Sequence, residues 1–242
     1  MAARQEAHTQ IDIRWSTERF HTQINWLNSH HSFSFAGHYD PQNTHHGLLL
    51  VSNDDVVKPN TGFRTHPHQN MEIVTWVLDG ELEHKDSGGN VGIIYPGLAQ
   101  RMSAGTGIWH SEMNPQKDKN VHFIQMWVPP DTELIAPSYE QLDITRDLDR
   151  GGLIPIASGR GHESAITIKQ KNAVLWGGRL RPGDVVQIPD AQWSTGADDW
   201  FLGENFQVIK YNGAAKHSEA VGSLTKEDGK TASLSPAKLI NG

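Results

Sequence analysis

No cysteine occurs among the 242 residues, which removes both disulfide staples and thiolate ligation of zinc or iron–sulfur clusters. Any metal held by this chain must use nitrogen and oxygen donors. Long apolar runs are missing as well. The first nine residues are polar, and no later segment approaches the roughly 18 apolar residues that a spanning helix needs. A soluble, cytoplasmic chain without membrane contact is therefore expected. Clustered positive charge is the third absence. With 21 Lys and Arg against 28 Asp and Glu the formal net charge is −7, and the isoelectric point lies near 6.0. A phosphate-tracking surface needs basic patches, so direct nucleic-acid binding is not expected.

Histidine is what the chain has in quantity. Of 14 histidines only His162 and His217 fall beyond residue 130, so chemistry is expected in the N-terminal half. Strand signals run throughout. The alternation in His31-Ser32-Phe33-Ser34-Phe35 reads as a half-buried strand, and Gly47 to Val51 reads as a buried strand ended by the turn formers Ser52 to Asp55. Ile73-Val74-Thr75-Trp76-Val77-Leu78 is β-branched and aromatic, and Asp79-Gly80 predicts a hairpin into Glu81 to Asp86. Val91 to Tyr95 and Val121 to Val128 complete this half. Short strands, dense turns and no long helical period indicate an antiparallel sandwich or barrel. Pro129 to Asp149 reads as a linker with one helical turn near Tyr139 to Leu142. Strands resume at Leu153 to Ala157, Ala165 to Ile168, Ala173 to Leu180, Asp184 to Ile188 and Phe206 to Tyr211, and Gly213 to Gly242 reads as a mobile tail. Two units follow, 1–130 and 131–242, the first carrying the site.

Side chains at i and i+2 of a strand share a face. His66 and His68 therefore project together, as do His110 and Glu112. Were their strands neighbours, three imidazoles and a carboxylate would meet, a donor set suited to iron, manganese, nickel, copper or zinc. Glu72 has the parity of His66 and His68, so the residues alone leave open whether Glu72 or Glu112 is the ligand, the other serving as a hydrogen-bonding or basic group. His30 and His31 are adjacent and point to opposite faces, which makes them packing or loop groups. Gly105-x-Gly107 reads as a tight turn. Trp76, Trp109, Trp127, Phe33, Phe35 and Phe123 read as core.

The segments Gly62…His66-x-His68-x-x-x-Glu72…Gly80 and Pro96-Gly97…Gly105-x-Gly107…His110-x-x-x-Asn114 resemble the two cupin motifs. The wording of His66-Pro67-His68, Glu72-Ile73-Val74-Thr75, Glu83-His84-x-Asp86-Ser87 and Met102-Ser103-Ala104-Gly105-x-Gly107-Ile108-x-His110-Ser111-Glu112-Met113 resembles the pirin family, including its bacterial quercetinase-like members. That resemblance implies an all-β bicupin, two antiparallel jelly-roll barrels, the N-terminal one holding a divalent metal, iron before copper, nickel, manganese or zinc. It implies His66, His68, His110 and Glu112 as ligands, where general cupins would use Glu72. It also implies a dioxygenase that opens the ring of a flavonol such as quercetin with O2 and releases carbon monoxide, Glu112 or Glu72 taking the hydroxyl proton. The alternative it carries is a redox-sensing regulatory protein without turnover and with a protein partner. After about Asp190 the resemblance weakens, and the C-terminal barrel reads as incomplete, rearranged or covered by a partner subunit.

Overall fold

The structure, a computed structural model, describes residues 10–12, 18–179, 198–203, 206–214 and 217–224. In chain order the elements are β1 (Gln10–Asp12), β2 (Phe20–Gln23), β3 (Leu27–His31), β4 (Val51–Val57), β5 (Gly62–His68), β6 (Glu72–Asp79), β7 (Leu82–Asp86), β8 (Val91–Ile94), β9 (Leu98–Ser103), β10 (Ile108–Met113), β11 (Val121–Val128) and β12 (Ser138–Asp143). The short helix α1 (Thr145–Leu148) separates these from β13 (Ile154–Ser158), β14 (Ile166–Thr167), β15 (Ala173–Gly178), β16 (Asp198–Gly203), β17 (Phe206–Ala214) and β18 (His217–Leu224). Among the described residues α1 is the only α-helix, so the chain is mainly β.

Three sheets form. A seven-stranded sheet runs β12-β9-β6-β11-β4-β3-β2, a four-stranded sheet runs β5-β10-β7-β8, and a second seven-stranded sheet runs β1-β18-β17-β16-β15-β13-β14. Among the described residues no sheet closes on itself. From β4 to β11 the chain passes repeatedly between the first two sheets, as in a sandwich. Their facing sides share a core in which Val57, Val77, Val121 and Phe123 of the larger sheet meet Leu82 and Ile94 of the smaller. A second cluster of Ile73, Met102, Ala104 and Ile108 fills the other end. Polar interior groups sit between the two apolar ends.

Period-two alternation makes the large sheet apolar on both faces. Odd positions of β6 and β11, such as Val77 and Phe123, face the small sheet. Even positions, Val74, Trp76, Ile124, Met126 and Val128, pack instead against Ile156, Ala157, Ile166, Ala173 and Leu175 of the C-terminal sheet. Among the described residues fifteen buried ones form this cluster, so the C-terminal sheet is anchored by apolar burial, the dominant favourable term in folding.

Several sequence expectations change. Asp79-Gly80 is no hairpin within one sheet, because both edges of β6 are occupied by β9 and β11. The chain crosses there to the facing sheet, with Gly80 at φ 82 so close to the Asn120 carbonyl that a Cβ would meet it at 2.6 Å. Ser52 to Asp55 belong to β4 rather than to a turn. Their side chains have partners that a strand tolerates: Asn53 Oδ1 lies 2.9 Å from His31 Nδ1, and Asp54 Oδ1 lies 2.6 Å from His122 Nε2. The linker reading of Pro129 to Asp149 is likewise corrected. Ser138–Asp143 is a strand paired along its whole length with β9, and the helical turn follows it. β3 ends at His31, leaving Phe33 and Phe35 in the following loop. Trp109 is 54% exposed and is not core, unlike Trp76 and Phe123. Part of the tail, His217–Leu224, forms a strand. The expected strand Asp184 to Ile188 and residues 191–197 lie outside the described residues.

Candidate metal centre

The centre is built on the inner face of the small sheet, by three adjacent strands. β10 lies between β5 and β7. Antiparallel register sets His110 opposite His66 on one side and opposite Asp86 on the other. Glu112 faces His84 across the second pair. Directly opposed residues in such ladders share a face at about 4.5–5.5 Å, so the i and i+2 positions of all three strands become one surface. A bulge between His110 and Glu112 puts Phe63 rather than Arg64 opposite Glu112, and the extra β5 residue leaves the His66–His110 pairing undisturbed.

His66, His68 and His110 offer ring nitrogens within 4.8 Å of one another. His66 Nε2 and His110 Nε2 are 3.0 Å apart, and the rings of His66 and His68 stand edge to face at 4.9 Å. Two imidazole nitrogens bound to one metal at about 2.0–2.1 Å are expected roughly 3.0–3.4 Å apart, which is what this pair shows. His66 Nδ1 donates to the Arg64 carbonyl at 2.7 Å, leaving Nε2 as the free donor of that ring. His68 Nε2 is buried without a hydrogen-bond partner among the described residues. A buried imidazole nitrogen normally finds a partner, and a cation between the three rings would supply one. The residues thus fit a metal.

Electrostatics point the same way. Burial pushes His68 down to about 4, and the neighbouring His110 and His66 add to the fall. Burial likewise lowers His110 to about 3, with His66 and His84 contributing. Both rings stay neutral at physiological pH, with the lone pair a metal requires.

Glu112 is buried at 2% exposure and is gripped from the facing sheet. Gln125 Nε2 donates to both of its oxygens at 2.8 Å, and Thr75 Oγ1 donates to one at 3.4 Å. Trp127 Nε1 in turn donates to Gln125 Oε1 at 3.0 Å, which sets the orientation of that amide. The Trp127 ring also meets His68 edge to face at 4.8 Å. Donor grouping joins Glu112 to His110 and His84, and His110 to His66 and His68, with His110 common to both sets.

Glu72 is elsewhere. Parity does not carry from β5 to β6, because Gln69 to Met71 intervene with Asn70 at φ 49 and the chain changes sheet. Glu72 shares the face of Val74 and Trp76, toward the C-terminal sheet. There its Oε2 accepts from Ser103 Oγ and from the Lys169 backbone N–H, both at 2.9 Å. Burial raises its carboxyl above the usual range, against the pull of those bonds.

Four groups around the centre escaped sequence reading. His84 and Asp86 obey the same i, i+2 rule on β7 and were legible by it. Thr75 and Gln125 reach in from the opposite sheet, and no local pattern announces them.

Comparison with known proteins gives the chain its kinship. The family model described as Pirin matches residues 14–128. A Mycobacterium tuberculosis protein provisionally named a quercetin 2,3-dioxygenase is 58% identical over 182 residues, 75% of each chain. The Escherichia coli protein named quercetin 2,3-dioxygenase is 49% identical over 131 residues, 54% of this chain and 57% of that one. Among solved structures, the bacterial pirin YhhW of Escherichia coli in complex with nickel(II) superposes with a TM-score of 0.61 at 41% identity, covering 65% of this chain and 67% of that one. On this sequence and structural kinship the chain belongs to the pirin family.

Proposed function

We propose that this chain is a metal-dependent dioxygenase that opens the flavonol ring of quercetin-like substrates with O2 and releases carbon monoxide. The observation that carries the reading is the meeting of three imidazoles, one with an orphaned buried nitrogen, beside a carboxylate held by its own hydrogen bonds. Relatives named for this activity support it. His66, His68, His110 and Glu112 would hold the metal, iron before nickel, copper, manganese or zinc; a relative crystallised with nickel(II) supports a divalent ion. When bound, the ion supplies Lewis acidity toward a substrate hydroxyl oxygen and a path for electrons to dioxygen.

The chain's own residues supply the rest. Glu112 accepts the proton of the flavonol 3-hydroxyl, a transfer that requires hydrogen-bond reach between the two oxygens. Gln125 and Thr75 keep its oxygens aimed while the charge changes. His66 and His68 are half-buried whereas His110 is buried, so substrate approaches from the β5 edge of the small sheet. Glu72, on the far side of the large sheet, serves packing between the units rather than catalysis. Two barrel units belong to the same reading, with β12 counted in the N-terminal one by its pairing with β9 and β1 in the C-terminal one by its pairing with β18.

Metal analysis of the purified protein followed by an aerobic quercetin assay tests it. Loaded protein is expected to consume quercetin and evolve carbon monoxide. Glu112→Gln should lower that rate by about 100-fold or more, in the range of general acid–base contributions, while Glu72→Gln changes it less than about twofold. Full metal occupancy with no loss of flavonol would overturn the dioxygenase reading and favour the regulatory one.

A further inference from the structure

The metal reading leaves one contact of His110 unassigned, the one behind it. We propose that His84, anchored by Asp86, is a positioning residue that fixes His110 as a ligand through Nε2. This rests on the reading that His66, His68 and His110 hold a metal.

The geometry allows little choice. His84 is buried at 0% exposure. Its Nδ1 lies 3.4 Å from His110 Nδ1, and its Nε2 lies 3.1 Å from Asp86 Oδ2. His66, with Nδ1–H committed to the Arg64 carbonyl, turns a bare Nε2 toward His110 Nε2. A cation between them takes both lone pairs, so the proton of His110 must sit on Nδ1. That N–H needs an acceptor, and His84 Nδ1 faces it. His84 then carries its own proton on Nε2, where Asp86 receives it. Each tautomer follows from the next one's partner.

Asp86 is itself held in place. Its Oδ1 accepts from the backbone N–H of Gly88 at 2.9 Å and of Asn90 at 3.0 Å, and the Asn90 amide donates to both oxygens. The Tyr139 ring stacks on His84 at 4.7 Å with 26° between planes. A turn anchors the carboxylate, the carboxylate anchors His84, and His84 anchors the ligand. Outer partners of this kind orient ligating histidines and raise their basicity.

The same atoms offer a rival use. His84, His110 and Glu112 donors lie within 4.8 Å of one another and could themselves hold a cation. His84 Nδ1 would then be a ligand rather than an acceptor, and Glu112 would be withdrawn from the other centre.

Zinc(II) titration of metal-free protein, with histidine 15N spectra of the loaded form, separates these arrangements. Wild type is expected to bind one zinc, with His110 protonated on Nδ1 and His84 on Nε2. His84→Phe keeps the stack on Tyr139 but removes the acceptor, and should weaken zinc binding by roughly 10–100-fold. His84→Asn, whose side-chain oxygen replaces Nδ1, should recover part of that loss. The proposal is overturned if His84 coordinates zinc, if its Nδ1 bears the proton, or if both variants bind as wild type. Should His84→Phe not fold, the wild-type spectra still decide. Failure of the underlying reading looks different: wild type would take no zinc, or His66→Ala would bind as tightly as wild type.

Discussion

Asp55 is a buried carboxyl that the proposed chemistry does not use, and it carries a measurable cost. It sits on the inner face of β4 at 3% exposure. Burial lifts its pKa to about 7; Asp54 and Glu112 add to the rise, while the Ser29 hydroxyl opposes it. In the unfolded chain the same group ionises near its ordinary value of 3.8. Between roughly pH 4 and 7 the folded state therefore binds the extra proton, and stability falls as pH rises. Asp55→Asn abolishes that titration. Its stability relative to wild type should grow by at most about 1.4 kcal/mol per pH unit across this window and then level off. Denaturant unfolding of both proteins at pH 4, 5.5 and 8 checks this, and a constant difference would contradict it. At this scale parity within a strand is a local property, which is why the sequence could pair His66 with His68 and His110 with Glu112 on shared faces. Glu72 escaped the rule because the left-handed Asn70 and a change of sheet separate it from His68.

Between neighbouring elements the site depends on how β5 and β10 lie together. Gly62 opens β5 opposite Met113, at φ 155, and a Cβ there would land on the Glu112 carbonyl. Neither the conformation nor the space admits a side chain. Gly62→Ala should push the β10 backbone aside at Glu112, costing about 2 kcal/mol or more and loosening metal binding at the same time. Calorimetric unfolding together with zinc titration reads both effects; a stable variant with unchanged affinity would show that the strand end relaxes freely. Turn chemistry illustrates the limit of local reading here. Asp79-Gly80 does reverse the chain, but which sheet receives β7 is decided by β9 and β11 having already occupied the edges of β6.

For the whole molecule, the joint between the large sheet and the C-terminal sheet is apolar around a charged pin among the described residues. Arg101, on the face of β9 opposite the candidate metal centre, donates through Nε to the Thr167 carbonyl at 2.8 Å and pairs with Glu140 at 2.7 Å. It also donates to Ser138 Oγ at 2.7 Å. Side-chain exposure is 4% for Arg101 and 35% for Glu140, so part of the pair is screened. Arg101→Leu should destabilise by about 2–3 kcal/mol, below the range for fully buried pairs. Zinc affinity should stay near wild type, since the side chain points away from the centre. Thermal unfolding and zinc titration of the variant test both halves; loss of affinity in a folded variant would mean that the joint and the centre are coupled.

Strand parity, turn residues and the absence of cysteine were enough, without any tertiary information, to predict a β fold, to put His66 with His68 and His110 with Glu112 on shared faces, and to restrict any metal to nitrogen and oxygen donors. These follow from period-two geometry and donor chemistry, which act within a few residues. What only the tertiary structure decided lies between strands and between sheets. It chose Glu112 over Glu72 as the carboxylate beside the imidazoles, made Gln125, Thr75 and Trp127 its supports, and put His84 and Asp86 behind His110. Contacts between facing sheets join residues far apart in the chain, and no local period encodes them. They are set by which apolar face each strand must bury, and that requirement also fixed where His66 and His68 would meet His110.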